Sequence, residues 1–378
     1  MEWKTIIDPK PAFADNNIPI ALSCSEYYSL YAAAFLKSLV EHSSPEMGYD
    51  ILIFTKDIVP GTMQMLTNIL EGKGNFSLRF LSVNAYIEQY ALKVHSHFGV
   101  ESYFRLLYPY MLKNYDKILY FDCDMVLKTD VAELFSIDIG DAFLGGCLDA
   151  VVVGAINSPE DRSFGDKGWK EYCMTTLQME NPYQYLNSGV LIFNLALFRK
   201  TYTVEYVLQD IQEKQYYLLD QDALNCLCSR KIHVLDMSWN MTTDVAGAKM
   251  PYIKKAPKRV LDAYMAARST PHTVHYADRL KPWKNPNEDL GYEFWQVART
   301  LPAYTRIVAR MSAEQYGFLS VTPADPGPVM LPMGVLGEWK WTIKRWSTKF
   351  LPYGSKRRAL VKRWYDKLRG RKNRKEAV

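Results

Sequence analysis

The stretch Lys117–Lys128 reads KILYFDCDMVLK and joins a short apolar run to two closely spaced acids. Ile118–Phe121 is apolar and β-prone, which is typical of a buried strand. On an extended chain, Asp122 and Asp124 would point to the same side. Two neighbouring carboxylates repel each other unless a cation lies between them or one takes up a proton. The stretch therefore predicts a site for a divalent ion and a diphosphate at a strand end, and a solvated corner before a turn is the alternative.

The segments before these acids alternate between strand and helix patterns. The predicted strands are Ile18–Ser23, Tyr49–Thr55 and Phe76–Leu81, and the predicted helices are Ser29–Val40, Thr62–Leu70 and Tyr103–Leu112. This alternation indicates an α/β fold in which helices flank a mainly parallel, Rossmann-like sheet with its site at the carboxyl ends of the strands. No G-x-G-x-x-G loop follows the first strand, which argues against a dinucleotide-binding protein.

Charge is unevenly distributed along the 378 residues. The chain carries a net charge of +5, yet Lys and Arg far outnumber Asp and Glu in residues 340–378, so the remainder is acidic. The apolar share of 48% and the charged share of 23% are ordinary for a globular protein. The sequence therefore predicts a folded body with a basic tail that has its own anionic partner.

The tail follows a segment rich in Pro and Gly, residues 323–337, which is typical of a linker. Apolar residues then recur twice at helical spacing opposite Lys and Arg: Trp339, Ile343, Trp346 and Phe350, then Leu360, Val361, Trp364, Tyr365 and Leu368. Basic amphipathic helices with Trp favour an anionic membrane surface, here through residues 339–375. Nucleic acid is a less favoured partner because no recognised nucleic-acid-binding fold accompanies the basic residues. The structural alternative is a solvated tail that docks on its own domain.

The cysteines and the N-terminus predict an intracellular protein. The chain has six cysteines without a paired C-x-x-C spacing, and several lie in apolar runs, which favours reduced core residues. The N-terminus lacks the basic-then-apolar pattern of a secretory signal, and no uncharged apolar run is long enough to span a membrane. We therefore expect a cytoplasmic protein that is peripheral on the inner face of the cell membrane.

Three later segments add polar groups to the ends of predicted elements. Asn187-Ser188-Gly189 leads into an apolar strand, where Gly permits close approach of a ligand or another strand. Asp220-Gln221-Asp222 precedes a helical pattern, and Asp220 is predicted either to cap this helix or to reach the mouth of the sheet. Residues 151–183 are polar and irregular, which is typical of a binding loop.

His275 is predicted on a short strand, and Lys281 follows six positions later. A lone His is more often a hydrogen-bonded structural residue, but in conjunction with the Asp pair a shared metal shell is the better interpretation. A Lys in this position would neutralise a phosphate. The chain thus offers two carboxylates, an imidazole and an ammonium group for one site.

These segments, in this order, resemble the retaining nucleotide-sugar glycosyltransferases of family 8, which include glycogenin-like enzymes and bacterial lipopolysaccharide galactosyl- and glucosyltransferases. The resemblance spans about residues 18–300 and is carried by five motifs: Arg105 in YFRLLYP, Asp122-Cys123-Asp124, Asn187-Ser188-Gly189, Asp220-Gln221-Asp222, and His275 to Trp283 in HYADRLKPW. It implies a GT-A fold and a nucleotide-sugar donor, usually a UDP-sugar.

The resemblance also implies a role for individual residues. Asp122, Asp124 and His275 would hold Mn²⁺ or Mg²⁺ against the diphosphate, and Lys281 would contact its phosphates. The donor sugar would be surrounded by Arg105, Asn187, Gly189, Asp220 and Gln221, and the nucleotide side would be lined by Ser23, Ser25, Tyr28 and Cys123. Tyr28 matches the position whose ring lies near the uracil. Ser25 stands in a stretch where the family commonly has Asp, which leaves the identity of the base open.

The expected reaction passes through an oxocarbenium-like transition state while negative charge builds on the leaving diphosphate. An amide is a poor nucleophile, so front-face displacement oriented by Gln221 and Asp220 is favoured over a covalent intermediate, although the sequence leaves both open. Arg105 and Asn187 are counted with the catalytic residues.

The predicted whole is a transferase domain at residues 1–305 and a membrane-associating extension at residues 306–378. It would move glucose or galactose from a UDP-sugar to a glycan acceptor, such as a lipid-linked surface polysaccharide or a lipopolysaccharide. A nucleotidyltransferase is the alternative enzyme, but the expected Gly-rich phosphate loop is missing. A non-catalytic carbohydrate- or membrane-binding protein would be favoured by loss of an Asp of the pair, of His275 or of Gln221, and all are present.

Overall fold

The computed structural model describes residues 8–84, 103–158, 168–214 and 216–316. Strands and helices alternate along the first half of this part of the chain. In order they are β1 (Asn17–Ser23), α1 (Glu26–His42), β2 (Gly48–Thr55), α2 (Pro60–Asn68), β3 (Phe76–Ser82), α3 (Phe104–Met111), β4 (Lys117–Phe121), β5 (Met125–Leu127) and α4 (Val131–Ser136). The predicted strands and helices of this half are confirmed within a few residues at their ends.

The second half of the described chain begins with β6 and adds further strands to both sheets. The elements are β6 (Leu144–Leu148), α5 (Ala150–Ala155), α6 (Trp169–Thr175), β7 (Leu186–Asn194), α7 (Leu195–Thr201), α8 (Val204–Glu213), α9 (Leu219–Cys228), β8 (Ile232–Val234), β9 (Met241–Thr242), α10 (Met250–Ile253), α11 (Lys258–Ser269), β10 (Thr273–His275), α12 (Gly291–Ala298) and α13 (Tyr304–Tyr316). Short 3₁₀ turns occupy Pro182–Gln184, Met237–Asn240 and Val245–Gly247.

Seven strands form the central sheet in the order β3-β2-β1-β4-β7-β6-β8. Neighbouring strands pair in parallel except for β7, which runs antiparallel to both β4 and β6. The predicted mainly parallel α/β sheet is confirmed. Because β7 is reversed, its first residues lie beside the last residues of β4, and this places two sequence motifs at one edge of the sheet.

Alternate residues of the central strands enter two apolar cores, one on each face of the sheet. Ile20 of β1 packs with Ile51 in the first core, whereas Ala21 packs with Leu52 in the second. All eight residues of β2 are buried. Strands covered on both faces are expected to be continuously apolar, which is why the period-two alternation is weak in the sequence.

A second, small sheet has the order β5-β10-β9. β10 pairs antiparallel with β5, so that His275 stands opposite Met125, the residue after Asp124. Helix α1 packs against β5, and α12 packs against both. The small sheet therefore places His275 next to the end of β4.

Three local predictions are wrong. Asp122 and Asp124 share a side because the chain turns between β4 and β5, not because they lie on one strand. Residues 151–183 contain nearly all of α5 and the whole of α6, rather than only irregular chain. Asp220 is no helix cap, because α9 begins at Leu219 and lacks a side-chain cap.

The chain divides into two compact units, Met1–Val308 and Ala309–Val378. The predicted linker at residues 323–337 and the predicted membrane-associating segment at 339–375 lie outside the described residues. In the described part, no helix is both long enough and apolar enough to cross a membrane.

Candidate active site

The turn between β4 and β5 is held from both sides by backbone hydrogen bonds. Asp122 N–H donates to the Gly189 carbonyl over 2.9 Å, which ties the turn to the start of β7. Tyr276 N–H donates to the Asp124 carbonyl over 3.0 Å, which ties it to the end of β10. Because main-chain groups fix both ends, the two carboxylates are placed by the fold itself.

Asp122, Asp124 and His275 form a candidate metal site. His275 Nε2 lies 3.6 Å from Asp122 Oδ2 and 3.4 Å from Asp124 Oδ1, and the three ligand atoms lie within 4.8 Å of one another. Neighbouring ligands of an octahedral ion with bonds near 2.1 Å stand about 3 Å apart. Two carboxylate oxygens and one imidazole nitrogen suit Mn²⁺ or Mg²⁺, so the predicted grouping of these three residues matches the geometry.

The imidazole of His275 is oriented by Asn240. His275 Nδ1 lies 2.8 Å from Asn240 Oδ1. An amide oxygen only accepts, so Nδ1 carries the proton in this arrangement and the lone pair of Nε2 faces the carboxylates. This is the form in which histidine binds a metal ion.

Lys281 lies against the acid pair. Its Nζ donates to Asp124 Oδ2 and, over 2.6 Å, to the Tyr276 carbonyl, and its side chain is 5% exposed. Burial opposes ionisation of Asp124, but the neighbouring ammonium group of Lys281 lowers the pKa of this carboxyl. Burial likewise opposes the charge on Lys281, but Asp124 raises the pKa of the ammonium. Both groups are therefore charged at neutral pH.

Arg105 joins three of the sequence motifs. Its Nη1 donates to the Ser188 carbonyl over 2.7 Å, and its Nη2 donates to Asp122 Oδ1 over 3.0 Å. Its Nε lies 2.8 Å from Asp220 Oδ2, and its guanidinium stacks 4.2 Å from the centre of the Tyr120 ring. The Tyr120 hydroxyl also donates to Asp122 Oδ1. Arg105 thus fixes the position of Asp122 relative to β7 and α9.

Asp220 is a buried acid with an unusual titration. Burial raises its pKa to about 6, against the opposing effect of Arg105. Although Arg105 Nε and Asp220 Oδ2 form a close ion pair, their alignment does not meet hydrogen-bond geometry, and neither atom has another hydrogen-bond partner among the described residues. Asp220 Oδ2 is fully buried against Arg105, and the Asp220 side chain as a whole is 8% exposed.

Four side chains on the other side of the site form a hydrogen-bonded group that we call the amide-side cluster: Asp149, Asn187, Gln221 and Asn240. Asp149 Oδ2 accepts from Asn187 Nδ2 over 3.0 Å and from Gln221 Nε2 over 3.2 Å. Gln221 Oε1 accepts from the Ser188 N–H over 3.0 Å. Asn240 Nδ2 donates to Asn187 Oδ1 over 2.8 Å. The predicted residues Asn187 and Gln221 are thus brought together through an acid that was not predicted.

Asp149 and Asn240 are the two members of this cluster that sequence reasoning missed. Asp149 directly follows strand β6, and this repeats in the sequence the strand-then-acid pattern of the opening stretch. Its Oδ1 caps α5 by accepting from the N–H groups of Val151 and Val152. Asn240 lies in a 3₁₀ turn without a recognisable motif, and only its tertiary contacts reveal it.

Gly189 has a packing role. A Cβ atom at this position would lie 2.4 Å from His275 Cε1 and 2.7 Å from His275 Nδ1. Real side chains do not approach so closely, so the absence of a side chain at Gly189 is what allows the imidazole to lie on the start of β7. The resemblance placed Gly189 at the donor sugar, whereas its close contact in the structure is with the histidine.

The residues predicted for the nucleotide side have internal partners. Ser25 Oγ caps α1 by accepting from the Tyr28 N–H, and Ser23 Oγ is 2.6 Å from the Tyr108 hydroxyl. The Cys123 thiol donates to the Ser23 carbonyl over 3.0 Å and is buried. Tyr28 is half-buried, and burial raises its pKa. Its interactions with Lys281 and Asp124 place it on the same side of the site as the acid pair.

Lys249 is a further cation beside the site that the sequence did not indicate. Its Nζ donates to the Ala277 carbonyl over 3.1 Å, within the loop that carries Lys281. Burial lowers the pKa of its ammonium, and Asp149 is the carboxylate that most strongly opposes this effect. Because Asp149 and Asp124 both act on its charge, Lys249 adds a positive charge close to the site.

Comparisons with known proteins agree with this geometry. The sequence pattern of "Glycosyl transferase family 8" matches residues 19–286. General stress protein A of Bacillus subtilis is 25% identical over 291 residues, covering 74% of this chain and 93% of the relative. Glycosyltransferase GlyF of Streptococcus pneumoniae serotype 4 is 24% identical over 284 residues, covering 75% of this chain and 61% of GlyF.

Solved structures give the same assignment of the fold. The bifunctional glycosyltransferase WbbM superposes with a TM-score of 0.74 at 26% identity, covering 81% of this chain and 53% of WbbM. The galactosyltransferase LgtC, solved with donor and acceptor sugar analogues, superposes with a TM-score of 0.58 at 23% identity, covering 75% of this chain and 96% of LgtC. The fold is GT-A. With the family pattern spanning well over half of its length, the chain belongs to glycosyl transferase family 8 and is a glycosyltransferase.

Proposed function

We propose that the protein is a metal-dependent, retaining hexosyltransferase that moves glucose or galactose from a UDP-sugar to a glycan acceptor. The observation that carries this proposal is the convergence of Asp122, Asp124 and His275 beside Lys281, directly next to the amide-side cluster. One side of the site offers ligands and a cation for a diphosphate, and the other offers directional hydrogen bonds for a sugar.

On the first side, Asp122, Asp124 and His275 would hold Mn²⁺ or Mg²⁺. A divalent ion bound there would act as a Lewis acid toward the charge that develops on the departing diphosphate. Lys281 contributes a buried positive charge to the same place, and a preorganised charge in a site with little water is effective because it needs no reorganisation during the reaction. Lys249 adds a second ammonium group nearby.

On the second side, the chain's own residues orient the sugar. Asp220, which the family resemblance assigns to the donor sugar, is held in place by its ion pair with Arg105. Gln221 is engaged at both ends of its amide, by Ser188 and by Asp149, which supports an orienting role rather than that of a nucleophile. We therefore favour front-face displacement, in which the acceptor hydroxyl approaches from the side that the diphosphate leaves.

We assign the nucleotide to the side of Tyr28, which is half-buried and interacts with Lys281 and Asp124. Ser25 and Cys123, which the resemblance assigned to the nucleotide, have their polar atoms engaged in capping α1 and in a bond to Ser23. We therefore assign the recognition of the base mainly to Tyr28 and to main-chain groups near the end of β1.

The first experiment is a donor-hydrolysis screen with Mn²⁺ and a panel of UDP-, GDP- and ADP-sugars. We expect hydrolysis of UDP-glucose or UDP-galactose, and loss of at least about a thousandfold in Asp124→Ala, because several kcal/mol of charge stabilisation depend on the metal ligands. Asp141→Ala is the matched control. The Asp141 side chain is 87% exposed and pairs with Lys231 rather than with a site residue, so this variant should retain full activity. Normal turnover in Asp124→Ala would reject the metal assignment.

We further propose the domain division at 1–305 and 306–378, a lipid-linked acceptor, and attachment to the inner face of the cell membrane through residues 339–375. Support comes from the basic amphipathic pattern of that segment. The full chain should sediment with anionic phosphatidylglycerol vesicles and be released by salt, whereas a chain ending at residue 338 should stay in the supernatant. Unchanged sedimentation of the shortened chain would exclude this attachment.

A further inference from the structure

We propose that Asn240 is a positioning residue that sets the proton of the metal-binding histidine and couples it to the amide-side cluster. The proposal rests on the proposed function for its consequences in catalysis, but its central claim concerns a hydrogen-bond pattern that can be measured without turnover. Asn240 is 4% exposed, at the end of the 3₁₀ turn Met237–Asn240, and contacts both halves of the site.

The two ends of the Asn240 amide have different partners. Its Oδ1 lies 2.8 Å from His275 Nδ1, and its Nδ2 donates to Asn187 Oδ1 over 2.8 Å. One carboxamide therefore bridges the candidate metal ligand and the residue at the start of β7. A carboxamide supplies one acceptor and two donor hydrogens, a combination that neither a carboxylate nor a hydroxyl of this length reproduces.

The direction of this chain of bonds is fixed by the backbone. The Gly189 N–H donates to Asn187 Oδ1 over 3.0 Å, and a main-chain N–H can only donate. Asn187 must therefore present its oxygen there and its Nδ2 to Asp149. Asn240 must in turn present Nδ2 to Asn187, which leaves its oxygen for His275.

The consequence is a defined tautomer for a neutral imidazole. With Asn240 Oδ1 as the acceptor, His275 carries its proton on Nδ1, and Nε2 presents a lone pair to Asp122 and Asp124. Outer hydrogen bonds of this kind set the orientation and basicity of metal-bound histidines, and their loss costs 10- to 100-fold in metal affinity in general. The backbone of Gly189 thus determines, through two amides, which nitrogen faces the acid pair.

Two substitutions at this position separate its two contacts. Asn240→Ala removes both, so Mn²⁺ affinity, measured by titration calorimetry without nucleotide, should fall about 10- to 100-fold. Asn240→Asp keeps an acceptor for His275 but faces Asn187 Oδ1 with a second oxygen. It should bind Mn²⁺ at least as well as the wild type, while the turnover number for UDP-sugar hydrolysis falls about tenfold or more, with little change in KM.

A double mutant tests the coupling. Asn187→Ala removes the oxygen that the new carboxylate would repel, so adding Asn240→Asp to Asn187→Ala should cost little further activity, although each single substitution is costly. Asn75→Asp is the matched control, because the Asn75 amide donates to the Ser44 and Met47 carbonyls away from the site. It should lower the melting temperature and leave Mn²⁺ affinity unchanged.

The direct readout is nitrogen NMR of metal-free protein labelled in histidine, recorded at pH 8 and assigned with His275→Gln. The wild type should show His275 protonated on Nδ1, as should Asn240→Asp, whereas Asn240→Ala should show a mixture of tautomers. Protonation on Nε2 in the wild type, or the same spectrum in all variants, would overturn the proposal. So would equal losses of Mn²⁺ affinity in Asn240→Ala and Asn240→Asp. Failure of the wild type to hydrolyse any nucleotide sugar would instead count against the proposed function. The NMR spectrum of the metal-free protein would still test the role of Asn240.

Discussion

The two halves of the site are built from opposite chemistry. We define the metal-side cluster as Asp122, Asp124, His275 and Lys281. It combines two carboxylates and an imidazole with the ammonium group of Lys281, which pairs with Asp124. The amide-side cluster is a set of directional hydrogen bonds that meet at one acid, Asp149. Asn240 belongs to the second cluster but contacts the first.

This difference indicates how each half is organised. In the metal-side cluster, Lys281 already neutralises Asp124, and a bound cation would redistribute those contacts. In the amide-side cluster, amide bonds to one another, to Asp149 and to the backbone set the positions of Asn187 and Gln221. A change that disturbs only one half should therefore have a signature different from a change that disturbs both.

Apart from removal of a metal ligand, the largest effect is expected from a change that disturbs both halves at once. Gly189→Ala places a methyl group within 2.4 Å of His275 Cε1, so the imidazole must move away from both the acids and Asn240. A displacement of about 1 Å at such a site costs on the order of 100-fold in rate. Turnover and Mn²⁺ affinity should both fall, as measured by donor hydrolysis and calorimetry.

Gly61→Ala is the control for that substitution. A Cβ at Gly61 meets nothing within 4 Å, and the residue lies in helix α2, where Ala is favoured over Gly by about 1 kcal/mol. This variant should be fully active and slightly more stable. If Gly189→Ala bound Mn²⁺ as tightly as the wild type, the contact between β7 and His275 would not matter for the metal site.

An intermediate effect is expected from a change confined to the amide side. Gln221→Ala removes hydrogen bonds to Ser188 and Asp149 and touches none of the metal-side residues. Turnover should fall about tenfold, which corresponds to roughly 1.4 kcal/mol, the range of a single hydrogen bond. Mn²⁺ affinity should stay unchanged, and a loss of it would show that the two halves are not separable in the way we describe.

At neutral pH the smallest effect is expected from the titration of Asp220, and this effect grows as the pH falls. Its pKa of about 6 results mainly from burial, with Arg105 lowering it and Asp122 and Asp222 raising it. If the ionised carboxylate orients the sugar, turnover should fall roughly tenfold for each pH unit below 6. Asp220→Asn should be less active at pH 7.5 and should lose this acid limb, which a pH–rate profile of both proteins would measure.

The same group has an opposite effect on stability. Because its pKa in the folded protein lies above the ordinary 3.8, Asp220 contributes stability at low pH, and this contribution is lost as the pH rises through about 6. Ionised Asp220 therefore lowers the free energy of unfolding in the pH range where we expect it to take part in the reaction. A difference in unfolding free energy between wild type and Asp220→Asn that did not change between pH 4 and pH 7 would contradict this assignment.

The fold and the metal-side cluster were predictable because their signals are local or motif-like. Apolar runs such as Ile118–Phe121 gave the strands, and the spacing of Asp122 and Asp124 identified a candidate site. The reason given for their shared side was wrong, because a turn and not a strand carries them. His275 was associated with them because its imidazole would complete a metal shell and because the family resemblance agrees, although a histidine 151 positions after Asp124 has no local connection to the acid pair.

The amide-side cluster was less accessible because it depends on the reversed direction of β7. Nothing local in the sequence indicates that β7 runs antiparallel, and that direction is what places Asn187 beside the end of β4. The local sequence left Asp220 open between a helix cap and a group at the mouth of the sheet, and its ion pair with Arg105 is visible only in the folded chain. Asn240 has no signal except its tertiary contacts.

The pairing of β10 with β5 has a consequence for the unfolded chain. It alone brings His275 to the acids at positions 122 and 124, so the three-ligand site does not exist before the small sheet has formed. Any divalent cation that uses this site must then shift the folding equilibrium, by about 2.7 kcal/mol when its concentration is 100 times its Kd. The melting temperature should rise with Mn²⁺ concentration in the wild type and stay constant in His275→Ala, which would make thermal unfolding a measure of the ion's occupancy in the absence of any sugar.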